Sequence, residues 1–148
     1  MSRKLIVRNT IKLDAEPARV WEALTRPELT KRYMFGCEAV SDWKVGHPVL
    51  WKAVSNGEET VYVKGEVVAL SYGRRLAFTA IDPHGAAEDI PANYTTVVYE
   101  LSTAGKQTVL SVSQGDFATV ADGEKRYGDC IKGWETALDG LKSLLNKK

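Results

Sequence analysis

Residues Tyr127–Leu145, YGDCIKGWETALDGLKSLL, decide the fold. Tyr127, Ile131, Trp134, Leu138, Leu141 and Leu145 recur at steps of four and three, which makes one continuous apolar stripe along a helix. Lys132, Glu135, Asp139 and Lys142 fall between them, and Lys147 and Lys148 suit the helix's negative end. Running from about Val120 to Asn146, this helix is roughly 40 Å long at 1.5 Å per residue. Gly128, Gly133 and Gly140 each weaken it by up to about 1 kcal/mol relative to alanine. The helix therefore depends on a partner surface, and its stripe predicts that Trp134, Leu138 and Leu141 face a sheet.

That sheet is legible upstream. Glu38–Asp42, Pro48–Val54, Glu59–Leu70, Arg75–Ile81, Tyr94–Ser102 and Gln107–Gln114 read as six strands. Val45-Gly46-His47-Pro48, Ser55-Asn56-Gly57, Tyr72-Gly73 and Ala104-Gly105 separate them with residues that favour tight turns. Gaps this short give antiparallel hairpins. Asp82–Asn93, with Pro83, Gly85 and Pro91, is the long loop. Gly65 inside a strand marks a bulge or sharp bend that helps the sheet curl.

Before this meander, Leu5, Val7, Ile11 and Leu13 share one parity and suit a half-buried strand. Asp14-Ala-Glu-Pro17 then offers an N-cap candidate and a first-turn proline, followed by Val20, Trp21 and Leu24 at helical spacing. Arg26-Pro27 ends that helix, because a residue before proline is pushed out of the α region. A second short helix follows from Pro27 to Met34. The expected architecture is α+β: a seven-stranded antiparallel sheet gripping a long C-terminal helix, with two short helices after the first strand.

The chain of 148 residues fits a single domain, residues 1–148. Its 20 Lys and Arg against 19 Asp and Glu give a net charge of +1, which exerts no general pull toward nucleic acid or anionic membrane. No apolar run reaches the roughly 18 residues of a membrane span, and the N-terminus lacks a continuous signal-peptide stretch, so a cytoplasmic protein is expected. Cys37 and Cys130 form no metal-ligand spacing and read as reduced, partly buried thiols.

His47 and His84 each adjoin a proline and match no paired-ligand motif, and no phosphate-cradling, dinucleotide or nucleophile-elbow motif occurs. Neither a metal nor a cofactor is expected, and no catalytic residue is assigned. Glu66 and Glu100 fall on the parity opposite the apolar one, where strand charges are solvated. Trp51, Phe78 and Tyr99 lie on inward parities, and Tyr127, Ile131 and Trp134 lie on the helix stripe. Such rings line either an ordinary core or a cavity, and periodicity does not separate the two. Gln114 ends an inward row with Leu110 and Val112, just before Gly115, so it is either a buried amide needing partners or a solvated strand end. Its candidate partners are the helix backbone, Tyr99, a ligand or water.

Several segments together resemble START-like (helix-grip, SRPBCC) proteins, specifically the activator of heat-shock-protein-90 ATPase homologue-like family. They are DAEPARVWEALTRPEL (Asp14–Leu29), DWKVGHPVLW (Asp42–Trp51), GEVVALSYGRRLAFT (Gly65–Thr79), SVSQGDF (Ser111–Phe117) and KGWETALDGLKSLL (Lys132–Leu145). Each is weak alone; their order and spacing across nearly the whole chain carry the resemblance. It implies a curved sheet around the last helix, an internal cavity, and Met34 and Phe35 near its mouth. The family's eukaryotic co-chaperones carry an additional N-terminal domain that this sequence lacks, which weighs against Hsp90 activation. The first functional expectation is a non-enzymatic carrier or sensor of a small hydrophobic or amphipathic molecule. A protein-interaction, co-chaperone-like module and a cyclase- or hydrolase-like enzyme are the alternatives.

Overall fold

In the computed structural model, which describes residues 4–146, seven antiparallel strands form one curved sheet. The strands are β1 (Val7–Leu13), β2 (Glu38–Val40), β3 (Pro48–Ser55), β4 (Glu58–Ser71), β5 (Arg75–Ala80), β6 (Thr95–Ala104) and β7 (Gln107–Gly115). Their order across the sheet is β1-β7-β6-β5-β4-β3-β2. β2 to β7 form a run of neighbouring hairpins, and β1 closes the far side by pairing with β7. The helices are α1 (Pro17–Thr25), α2 (Pro27–Thr30) and α3 (Gly123–Leu145). The expected architecture is the observed one. Lys147 and Lys148, assigned to the helix end, lie outside the described residues.

α1 starts at Pro17, but Asp14 is not its cap. Glu16 holds the N-cap position without a side-chain bond to the helix. Asp14 is instead drawn toward the chain's other end: its N–H donates to Asn146 Oδ1 at 2.7 Å, and its carboxylate accepts from Gln107 Nε2 at 2.6 Å. Val20, Trp21, Ala23 and Leu24 of α1 are buried. Tyr33, in the turns after α2, donates its hydroxyl to Ala23 O at 2.6 Å and so ties the two short helices together.

Gly65 is the bend the sequence suggests. A Cβ placed there would lie 1.6 Å from the backbone oxygen of Thr79. Next to it the β4–β5 register shifts between Val67 and Ala69, and a second irregularity between Trp51 and Lys52 breaks the β3–β4 register. Bulges of this kind sharpen local twist and turn the sheet's face inward.

α3 lies on the inward face, with Trp134, Ala137, Leu138, Leu141 and Leu145 buried. It begins at Gly123 rather than near Val120. Phe117–Thr119 forms its own 3₁₀ turn, Val120 is extended, and Asp122 adopts a left-handed conformation at φ 56°. The helix is thus 23 residues, about 35 Å, long. Gly140 allows α3 to close on Tyr33, because a Cβ there would lie 2.9 Å from Tyr33 Cβ.

Candidate functional site

Strand pairing sets one cross-strand row of inward side chains: Val67, Phe78, Val97, Gln114 and Val7, from β4, β5, β6, β7 and β1. Four of the five are buried apolar residues, and Gln114 is the polar exception. Trp51 stands opposite Val63 on β3 and β4 and extends the same face. Between this face and the first half of α3 lies a cavity of about 400 Å³. Small-molecule sites occupy roughly 300–1,000 Å³.

The sheet contributes Trp51, Phe78, Tyr99 and Gln114 to the wall, α3 contributes Trp134, and the segment after α2 contributes Met34 and Phe35. These seven are brought together as the sequence suggests. Phe78 contacts both Trp51 and Tyr99, with ring centroids 6.1 and 5.9 Å apart, and Tyr99 meets Trp134 edge-on at 6.0 Å. Phe35 stands at the mouth, 65% exposed, with a left-handed backbone (φ 57°) that is unusual for a bulky residue.

Tyr127 and Ile131 are not on the wall. Tyr127 packs against Phe117 at 6.1 Å, and Ile131 is 36% exposed. The reason is angular. At about 100° per residue, Ile131 lies roughly 60° to one side of Trp134, whereas the wall is formed by residues on the other side. Those are Cys130, Gly133 and Ala137, which the apolar stripe did not reveal because they are small. Thr95 and Cys37 were also not anticipated. Thr95 shares the parity of Val97 and Tyr99, which was the available signal.

The Gln114 amide, partly buried, is engaged through both its oxygen and its nitrogen. Its Oε1 accepts from Trp134 Nε1 at 2.8 Å and from Cys130 Sγ at 3.2 Å, and its Nε2 donates to Thr95 Oγ1 at 3.0 Å. Neither the helix backbone nor Tyr99 takes part. The Tyr99 hydroxyl, fully buried, has no hydrogen-bond partner. An unpaired buried polar group costs about 1–3 kcal/mol.

Burial pushes the Tyr99 phenol well above its usual range, raises the Cys37 thiol, and moves the Cys130 thiol up to about 12. All three shifts favour the neutral form, the opposite of what activates a nucleophile. The charged residues of the wall are Asp82, Arg126 and Asp129. Asp82 and Asp129 are exposed at the rim, and Glu66 and Glu100 are solvated outside. The Arg126 guanidinium donates to Asn93 O at 2.9 Å and Ala121 O at 3.2 Å, and lies 5.9 Å from the Phe117 ring centre. Among the described residues, no group of three or more His, Cys, Asp or Glu side chains is placed to hold a metal ion, and no helix is long and apolar enough to cross a membrane.

A sequence profile described as activator of Hsp90 ATPase homolog 1-like protein matches residues 14–146. Among solved structures, the ChR145 protein of Cytophaga hutchinsonii is 33% identical, with a TM-score of 0.77 over 97% of this chain and 95% of that one. The Aha1 dimer of Colwellia psychrerythraea superposes at a TM-score of 0.71 with 20% identity, covering 95% of each chain. An Hsp90 activator from Plasmodium falciparum gives 0.69 with 18% identity, covering 94% of each. The last two likenesses establish the fold alone. No curated protein matches the sequence.

Proposed function

The chain belongs to the activator of Hsp90 ATPase homolog 1-like family, and from that premise we propose that it binds a small hydrophobic or amphipathic molecule in its internal cavity, as a carrier or sensor without catalysis. The observation that carries this reading is the void of about 400 Å³ between the ring-lined sheet and α3. A chain whose only task is to stack helix on sheet would fill such a space with side chains, as close-packed interiors do. Burial holds the Cys37 and Cys130 thiols in their neutral form, so neither is poised as a thiolate nucleophile.

Native mass spectrometry of freshly purified protein tests the proposal, together with tryptophan emission during titration with apolar probes. Trp51 and Trp134 border the cavity. Saturable quenching or shifting is expected at low-micromolar to millimolar probe, about −8 to −4 kcal/mol. No co-purifying small molecule, together with unchanged emission across a broad panel, would leave the family's protein-partner role as the better account.

A further inference from the structure

We infer that Gly133 sets the size of the cavity, keeping a stretch of α3 bare as the seat for an uncharged, ring-bearing apolar ligand. The inference rests on the binding reading above and adds to it a size-determining residue and a ligand class.

Glycine inside a helix carries an entropic cost, so each one calls for a reason. Gly140 has one in the close approach of Tyr33. Gly133 has none of that kind: a Cβ built there meets no atom within 4 Å. It lies on the cavity wall with Cys130 and Ala137, three and four residues away on the same helix face. A side chain at 133 would therefore grow into the void. Gly128 is equally open but is not on the wall, so the two positions share helix energetics and differ only in what their side chain would displace.

The other side of the cavity supplies Trp51 and Phe78, flat surfaces suited to a ring. Charge limits the class further. Asp82 and Asp129 stand exposed at the rim, and the Arg126 guanidinium is already held by two backbone carbonyls. The lining thus carries two carboxylates against one guanidinium, so an anion entering the cavity loses its hydration and meets no net positive charge, which is costly.

The probes are N-phenyl-1-naphthylamine, neutral and fluorescent in apolar surroundings, and 1-anilinonaphthalene-8-sulfonate, the same ring system carrying an anionic group. The unaltered protein is expected to bind the neutral probe at least about tenfold more tightly. Gly133→Leu should weaken that binding by about tenfold or more, while Gly128→Leu leaves it within about twofold. Gly133→Ala and Gly128→Ala should each raise the Tm by about 2–4 °C, and only the former should weaken the probe. A folded Gly133→Leu protein with undiminished affinity would overturn the assignment, as would a Gly133→Ala protein that melts lower than the parent. Equal affinity for the sulfonate would overturn the uncharged class. Binding of neither probe by the unaltered protein, with no co-purifying molecule, would remove the binding reading itself.

Discussion

Trp134 on α3 donates its indole N–H to the Gln114 side-chain oxygen on β7 across 2.8 Å, so the helix is fastened to the sheet by a polar bond at the edge of an apolar cavity. The same oxygen accepts from Cys130 one turn earlier, and the amide nitrogen reaches across to Thr95. A single glutamine thereby fixes the helix's position against two strands.

Gln114→Leu removes this fastening and leaves the Trp134 N–H without its acceptor. The variant should fold with stability lower by about 1–3 kcal/mol, read by thermal or denaturant unfolding. If Gln114 also orients a ligand, preference should move toward fully apolar probes. Equal changes in affinity for a polar-headed probe and its apolar analogue would show that it does not. Trp134→Ala should cost about 3 kcal/mol, at the low end for a tryptophan because one side of the ring borders the cavity.

Two buried tyrosines make an internal comparison. The Tyr33 hydroxyl donates to Ala23 O at 2.6 Å, whereas the Tyr99 hydroxyl has no partner. Tyr33→Phe should lose about 1 kcal/mol, and Tyr99→Phe should be neutral or gain up to about 1 kcal/mol, because it removes an unpaired group. Denaturant midpoints of the two variants check the difference.

Burial raises the pKa of Tyr33, Tyr99, Cys37 and Cys130 in the folded protein, so they ionise less readily there. In the unfolded chain these groups release protons near their ordinary values, about 8.5 for cysteine and 10 for tyrosine. Above those values the unfolded state binds fewer protons than the native state, so stability falls as pH rises. The stabilisation is fully present below about pH 8.5 and declines above it, most steeply where the deeply buried Tyr33 and Tyr99 titrate in the unfolded chain and least for the partly exposed Cys37, whose shift solvent screens. Denaturant midpoints measured from pH 7 to 11 should show the decline, and Tyr33→Phe should flatten it above pH 10.

Gly65→Ala places a methyl group 1.6 Å from the Thr79 carbonyl oxygen, a backbone atom that has no flexible end to move aside. The β4 backbone must shift away from Thr79, with a loss of about 3 kcal/mol or more in unfolding free energy. A melting temperature unchanged from the parent would show that the bend is not enforced there.

Much of this fold is written locally. The turns at Asn56-Gly57, Gly73 and Gly105 all use positive-φ residues, and they place the hairpins within a residue or two of where the pattern puts them. β2 ends at Val40 rather than Asp42 because the chain turns away, with Trp43 at φ 56°. Strand parity brought Trp51, Phe78, Tyr99 and Gln114 to one face. Parity carries no information about volume, however, and it treats Gly133 and Ala137 as gaps in a stripe although they are the cavity's wall. The Gln114 partners were hidden for a related reason. Thr95 is its diagonal neighbour through the β6–β7 register, and Trp134 and Cys130 meet it only once α3 has docked.

The pairing of β1 with β7 has a consequence for how the chain is made. Val7 sits beside Gln114 and Leu13 beside Thr108, so the first strand waits for a partner about a hundred residues away. The β2–β7 meander can form hairpin by hairpin as it emerges from a ribosome, whereas β1 stays an unpaired edge throughout that time. At 5–20 residues per second the wait is roughly 5–20 s. Contacts this distant in sequence slow folding. Arg8, Asn9, Thr10 and Lys12, interleaved among the apolar positions of that strand, make it a poor template for another chain while it waits.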